Sequence, residues 1–433
     1  MIPKRAGHND IRRNNLEVVL RHLSAVGADS RAGVAARAGL TRATVSRLVA
    51  ELIELGLVNE GGQGREDRSG RPGRPGTMLE LGTGVLAVGM EVNVDYLSVL
   101  VIDLAGREVL RERRAFDATV GPDACLAGLA ELYRSARRRL TARAGRSAPV
   151  IAGVTVAVPG LVDVTAGVVA EAPNLRWRDV AVAEPLRRML RLGRARGVGA
   201  AAGGGAGAAA GGGAGEAGGV PIYVGNDANL GAIAEYRSGE WCGTPNLVYV
   251  TGEVGIGGGI IVGGQPLLGT RGYGGEVGHM NVMPDGPLCG CGRRGCWEAC
   301  IGMAALLQSA RQRPRGDLPP ERKIEPIVRR ARAGDERTLS VLRELARWIG
   351  IGAANLANLF DPQVIILGGY FADLGEWILP VAQEALEAGT LARTGEHLHL
   401  ATSTLGFTAA AQGGALHAIE RVISDPTALL AVV

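Results

Sequence analysis

Residues 275–298 read GEVGHMNVMPDGPLCGCGRRGCWE, and no other stretch restricts the fold as tightly. His279, Cys289, Cys291 and Cys296 fall within eighteen residues. One imidazole and three thiolates form the donor set of a closed, tetrahedral structural Zn²⁺ site. Gly290, Gly292 and Gly295 allow the backbone to curl so that three sulfurs converge on one ion. Glu276 and Glu298 flank these donors without replacing them, as in a metal knuckle that braces a binding cleft. The alternative, reduced thiols beside a surface histidine, leaves the Cys spacing in a glycine-rich loop unexplained. A Cys289–Cys291 disulfide is disfavoured by bridge geometry, and nothing in the chain suggests secretion.

The 433 residues suffice for about two to four domains, each with its own core. No apolar run reaches the ~18 residues of a membrane-spanning helix. The N-terminus, MIPKRAGHND, has no apolar segment of the secretory kind. The expectation is a cytoplasmic protein without a membrane partner. Charge is unevenly placed. Residues 1–76 carry 13 Lys/Arg against 8 Asp/Glu, and the remainder 34 against 35. A basic head on a neutral body suits a polyanionic partner.

That head has a helix-turn-helix order. Leu16, Val19, Leu20 and Leu23 recur at helical spacing over residues 10–26. Ser30 can cap a short second helix, Gly39 a tight turn, and Thr41 a third helix with Val45, Leu48, Val49 and Leu52 inward. Arg42, Thr44, Ser46 and Arg47 lie near the start of this third helix, where a recognition helix meets base edges. Two short strands then flank a Gly/Arg/Pro loop, as in a wing. Its Arg71 and Arg74 suit an A/T-rich minor groove. The same loop also reads as a flexible charged linker, and both readings can hold.

From Val85 the pattern is one of strands at 85–92, 96–104 and 109–115, a helix over 121–143 and an apolar strand over 150–158. The Gly/Ala tract at 197–219 reads as an inserted surface loop. A strand ending in Gly-Asn226-Asp227-Ala-Asn follows. The carboxyl end of a strand is where α/β folds place ligand-binding groups. Asp227 there can take a proton from a hydroxyl, accept a hydrogen bond from one, or simply belong to a helix cap. A hairpin around TGEVGIGGG, a helical stretch over 302–360, a strand ending in Gly368-Gly369, a last strand over 398–402 and a closing helix over 409–423 complete the pattern.

GEVGH followed by CGCGRRGCWE resembles the ROK family of sugar kinases and transcriptional repressors. NDAN, PNL at 173–175, TGEVGIGGG and IILGGY support the likeness in order. The N-terminal winged helix-turn-helix resembles that of the repressor branch, which includes xylose and N-acetylglucosamine repressors. The resemblance implies an α/β, actin/hexokinase-like (ribonuclease H-like, duplicated) fold with sugar between two lobes. The expected division is a winged helix-turn-helix at 1–80 and a sugar-binding domain at 81–433. The latter would comprise a small lobe at 81–220 with the C-terminal helix, and a large lobe at 221–408. Carried over residue by residue, zinc would sit on His279, Cys289, Cys291 and Cys296. Sugar hydroxyls would meet Asn174, Asn226, Asp227, Glu276, His279 and Glu298. His279 can serve both, one ring nitrogen on the metal and one on the sugar.

Kinases of the family carry an Asp-x-Gly-Gly-Thr phosphate loop after the first strand. Here the segment is Glu91-Val92-Asn93-Val94-Asp95. Asn93 and Val94 bear side chains that block close backbone approach, and Asp95 adds negative charge beside a phosphate. The expectation is therefore a sugar-responsive repressor without kinase activity, with Asp227 catalytic only if the chain is a kinase after all. The expected partners are double-stranded operator DNA, a monosaccharide or sugar-phosphate effector, and a second copy of the chain. A linker at 76–84 would pass cleft closure to the head.

Overall fold

The computed structural model describes residues 8–63, 77–144, 149–191, 219–312, 318–392 and 398–431. Arg71, Arg74 and all but the last residue of the 197–219 tract lie outside the described residues.

The head holds α1 (His8–Val26), β1 (Asp29–Ser30), α2 (Arg31–Ala38), α3 (Arg42–Glu54), β2 (Val58–Gln63) and β3 (Thr77–Leu81). Both expected caps form. Ser30 Oγ accepts from Gly33 N at 3.1 Å, and Thr41 Oγ1 accepts from Thr44 N at 3.2 Å. Gly39 ends α2 in the left-handed region at φ 66°, a conformation glycine enters without steric cost. The apolar stripes of α1 and α3 close one core with the strands. The two-residue β1, which pairs with β3, was not legible in the sequence pattern.

The body begins with β4 (Val85–Val92), β5 (Tyr96–Asp103), β6 (Glu108–Ala115), α4 (Pro122–Ala144) and β7 (Val150–Val158). A small antiparallel sheet follows: β8 (Leu161–Asp163), β9 (Val168–Ala172) and β10 (Trp177–Ala181). Then come α5 (Ala183–Leu190), β11 (Ile222–Asn226), α6 (Asp227–Ser238), β12 (Leu247–Gly252), β13 (Ile256–Val262) and β14 (Gln265–Pro266). The rest is α7 (Trp297–Ile301), α8 (Met303–Ser309), α9 (Pro320–Arg332), α10 (Glu336–Phe360), β15 (Val364–Gly369), α11 (Tyr370–Gly389), β16 (His399–Thr402) and α12 (Ala409–Ser424).

The two five-stranded sheets share one topology. Their orders are β6-β5-β4-β7-β11 and β14-β13-β12-β15-β16. In each, the first three strands are antiparallel and the last two pair in parallel. This is the duplicated actin/hexokinase-like arrangement that the resemblance implied. Strand β4 is buried along its whole length, which is why it reads as an unbroken apolar run. Leu86, Val88, Met90 and Val92 pack in the core that holds α4, while Val85 and Ala87 pack in the core that holds α12.

Helix α12 explains a local excess of small residues. A Cβ on Gly413 would lie 1.7 Å from the Leu230 carbonyl oxygen of α6, and one on Gly89 would lie 1.7 Å from that of Ala411. Backbone therefore approaches backbone on both sides of this helix. Head and body also share a core. Leu16, Val19 and Leu20 of α1 cluster with Ala415, Ile419 and Val422 of α12. The expected linker at 76–84 is not a tether. Residues 77–81 form a strand of the head sheet, and Gly82 N donates to Leu57 O at 2.8 Å. Apolar burial welds the two units at this seam.

Among the described residues no helix is long and apolar enough to cross a membrane.

Candidate functional site

The carboxyl ends of β7, β11 and β12 face one cleft of about 790 Å³. All six residues assigned to a sugar by resemblance line it: Asn174, Asn226, Asp227, Glu276, His279 and Glu298. They arrive from four separate segments. Asn174 sits in a 3₁₀ turn at Pro173–Leu175, Asn226 and Asp227 at the β11–α6 junction, Glu276 and His279 beside the 3₁₀ turn Val277–His279, and Glu298 at the start of α7.

At NDAN the structure shows a helix cap, with Asp227 lining the cleft beside it. Asn226 is the N-cap of α6: its Oδ1 accepts from Asn229 N at 2.9 Å, and its Nδ2 donates to Gly160 O at 3.1 Å. It holds β7 and α6 together at the cleft wall. Asp227 is the first helical residue, and its Oδ1 accepts from Ala228 N at 2.8 Å. Burial raises its carboxyl to about 6 against those backbone hydrogen bonds.

Carboxylates dominate the walls. Glu91 is buried beneath the cleft and pushed up to about 7 by burial, even though Tyr96 OH donates to it at 2.7 Å and Ser98 Oγ at 3.2 Å. Glu253 is raised well above the usual carboxylate range, by burial first and then by Glu91 and Asp227. Glu276 rises to about 7 from desolvation, then from Asp227 and Glu298, although its side chain opens to the cleft and water screens part of this effect. Glu253 escaped the sequence reading. Its signal was a lone carboxylate in an otherwise uncharged glycine run.

The segment Glu91–Asp95 is tied across the cleft. Asn93 Nδ2 donates to a Glu253 carboxylate oxygen, and Lys323 Nζ of α9 donates to Asp95 Oδ2 at 2.5 Å. Further along the same face, Arg113 Nη1 donates to Glu321 Oε1 at 2.8 Å and its guanidinium lies 3.6 Å from the Tyr96 ring centroid. Asp95 and Arg113 come from the first sheet's lobe, Lys323 and Glu321 from a helix packed in the second. No pattern in the sequence singled out Lys323.

His279, Cys289, Cys291 and Cys296 converge, their ligand atoms all within 4.8 Å of one another. Cys289 Sγ lies 3.8 Å from His279 Nδ1, and Cys291 Sγ 3.6 Å from Cys296 Sγ. Tetrahedral ligands at ~2.3 Å from a Zn²⁺ ion would be about 3.8 Å apart, so the cluster fits such an ion. Gly292 and Gly295 adopt φ of 83° and 72°, the curl expected of them. Trp297 follows Cys296 and is fully buried; its Nε1 donates to Trp348 O at 2.7 Å. Nothing but glycine fits opposite it, since a Cβ on Gly352 would lie 2.0 Å from the indole. The knuckle is thereby pinned to the core of the second lobe. Glu298 links it to the glycine hairpin: Oε1 lies 3.5 Å from Cys289 Sγ, and Oε2 accepts from Ile256 N at 2.9 Å.

In the head, Arg42, Ser46 and Arg47 are exposed on α3, and Thr44 is half-buried with its Oγ1 2.9 Å from Thr41 Oγ1.

A stability test follows from the acidic walls. A carboxyl whose value is raised by folding binds a proton that the unfolded chain has already released, so stability falls as pH rises from about 4.5. Glu253→Gln removes that charge and keeps an acceptor for Asn93. It is expected to raise the melting midpoint by about 2–4 °C at pH 7.5 and to leave it unchanged near pH 4. An equal shift at both values would contradict a charge origin.

Residues 215–421 match the model of the ROK family, and residues 18–66 that of the MarR family. The chain is 28% identical over 405 residues to the xylose repressor of Bacillus subtilis, covering 93% of this chain and 94% of that protein. It is 32% identical over 307 residues to the glucokinase of Streptomyces coelicolor, covering 68% of this chain and 84% of that one. The crystal structure of a ROK family transcriptional regulator, a homologue of the E. coli MLC protein, aligns with a TM-score of 0.74 at 22% identity. The alignment covers 98% of this chain and 99% of that one. At that identity it speaks for the fold.

Proposed function

The chain belongs to the ROK family, and from that premise we propose that it is a sugar-responsive transcriptional repressor and not a sugar kinase. The observation that carries the proposal is the Glu91–Asp95 corner. Where a phosphate loop would need bare backbone, Asn93 is held by Glu253, Asp95 by Lys323, and buried Glu91 lies between Tyr96 and Ser98. Burial first, and then Asp227, raises the proton affinity of Glu91, and burial first, and then Glu91 and Asp227, raises that of Glu253. A triphosphate would enter a field that already resists negative charge.

On this reading the cleft binds a monosaccharide effector through Asn174, Asp227, Glu276, His279 and Glu298. Carboxylates and amides suit hydroxyls, which both donate and accept, and a misplaced hydroxyl leaves a buried polar group unpaired. The knuckle would hold a structural zinc ion on His279 and the three cysteines, which supplies rigidity because all four positions are protein ligands. Nδ1 of His279 faces Cys289, which leaves Nε2 for the sugar.

The route to the head is packed and charged. Helix α6 starts at Asp227 and carries Arg237 in its last turn. Arg237 Nη2 donates to Glu420 Oε2 of α12 at 2.6 Å, and Arg21 Nη2 of α1 donates to Glu420 Oε1 at 2.6 Å. A shift of α6 on closure would reach the head through Glu420 and the shared apolar seam. Two heads on a homodimer would then lose their match to two half-sites of a palindromic operator. Effector and operator would be reciprocally coupled by about 1–3 kcal/mol.

Gel shifts with and without sugar test this directly. The cognate sugar is expected to weaken operator binding about 5- to 150-fold. Arg42→Ala with Arg47→Ala is expected to weaken it by roughly 100-fold with sugar affinity intact. Operator affinity indifferent to every bound sugar would refute the proposal. Phosphorylation of a sugar by ATP that disappears in Asp227→Asn would establish the kinase instead.

A further inference from the structure

Three devices ordinarily hold a phosphate: a free cation, a helix N-terminus, and backbone N–H groups of a glycine loop. Each is present beside this cleft; the two cations and the α6 N-terminus are engaged by carboxylates, and the glycine hairpin is engaged in part by a carboxylate and in part by its own backbone. Lys323 is paired with Asp95, and Arg113 with Glu321. The N-terminus of α6 carries Asp227 itself, with Ala228 N donating to it. In the glycine hairpin, Ile256 N donates to Glu298, and Glu253 N donates to Gly255 O at 3.0 Å. Among the described residues that line the cleft, the one Lys or Arg is Arg293, whose Nε lies 3.5 Å from Cys291 Sγ. Against it stand Glu171, Asp227, Glu253, Glu276 and Glu298.

We infer that the effector is an unphosphorylated monosaccharide, and that this cleft rejects the phosphate ester of the same sugar. The inference rests on the reading of the cleft as a sugar site and names the chemical class it admits. Hydroxyls can share the carboxylate oxygens as donors, whereas a phosphate dianion brings only acceptors and like charge. Burial of Glu91 and Glu253 limits the water available to screen that repulsion.

Calorimetric titration of the full chain with paired ligands provides the test. The pairs are xylose, glucose and N-acetylglucosamine, each with its terminal phosphate ester. At least one free sugar is expected to bind, with its ester weaker by about tenfold or more at 0.1 M salt and the gap narrowing as salt rises. Glu253→Gln should narrow the gap as well, most at alkaline pH, since it removes an ionisable group whose burial disfavours its charge and keeps one acceptor oxygen. An ester that binds as tightly as its parent would overturn the inference and leave the sugar-site reading standing. An unchanged gap in Glu253→Gln would overturn its electrostatic basis. Binding of no pair in either form would instead remove the sugar-site reading on which it rests.

Discussion

Cys296→Ser is expected to abolish stoichiometric metal, lower stability by about 4 kcal/mol or more, and eliminate the response to sugar. Cys296 is buried and completes a cluster whose ligand atoms lie within 4.8 Å of one another. Its neighbour Trp297 anchors the knuckle in the second lobe, and Glu298 carries the knuckle to the glycine hairpin. Loosening the cluster would release Glu298 and His279 together, both on the cleft wall. Cys300→Ser is the control, because Cys300 lies four residues on but outside the cluster. Elemental analysis of the purified protein, with thermal melts and sugar titration, checks the expectation. A Cys296→Ser protein that lacks metal and still binds sugar with full affinity would show that the knuckle does not position the site.

Lys323→Ala should have the next largest effect. Asp95 and Lys323 retain 11% and 14% side-chain exposure, so removal of the ammonium strands a largely desolvated carboxylate. The expected cost is about 3 kcal/mol. The pair joins the two lobes one residue beyond Val94 of the cleft wall. Its loss should let open conformers accumulate, and sugar affinity should fall in proportion to the closed fraction, by about tenfold. Exchange of the two charges, Asp95→Lys with Lys323→Asp, should recover part of both losses. Unchanged stability and affinity in Lys323→Ala would mean that the lobes are held together elsewhere.

The head was almost fully legible because its determinants are local. Ser30, Gly39 and Thr41 act on backbone within four residues, and the apolar stripes of α1 and α3 repeat at helical spacing. The same holds for the candidate metal donors, three of which sit in an eight-residue loop. The body strands were legible from continuous apolar runs, because burial on both faces leaves no alternation to misread. Strand β1, helix α11 and the small sheet β8–β10 were not called out by any such pattern, since they take their shape from neighbours distant in the chain. The linker expected at 76–84 failed for the same reason. Its residues look like a connector, but apolar side chains of α1 and α12 close over the seam.

Residue identity and spacing alone specified the candidate donor set and the capped head, because each depends on groups adjacent in sequence. The partners of those groups came only from the folded chain. Glu253 reaches Asn93 from 160 positions away, Lys323 reaches Asp95 from 228, and Arg21 reaches Glu420 from 399. Coulomb and desolvation energies depend on separation and burial in space, and neither is encoded in local periodicity. The knuckle could thus be recognised one residue at a time, but its attachment to an acidic cleft and a welded DNA-binding head is a property of the tertiary packing.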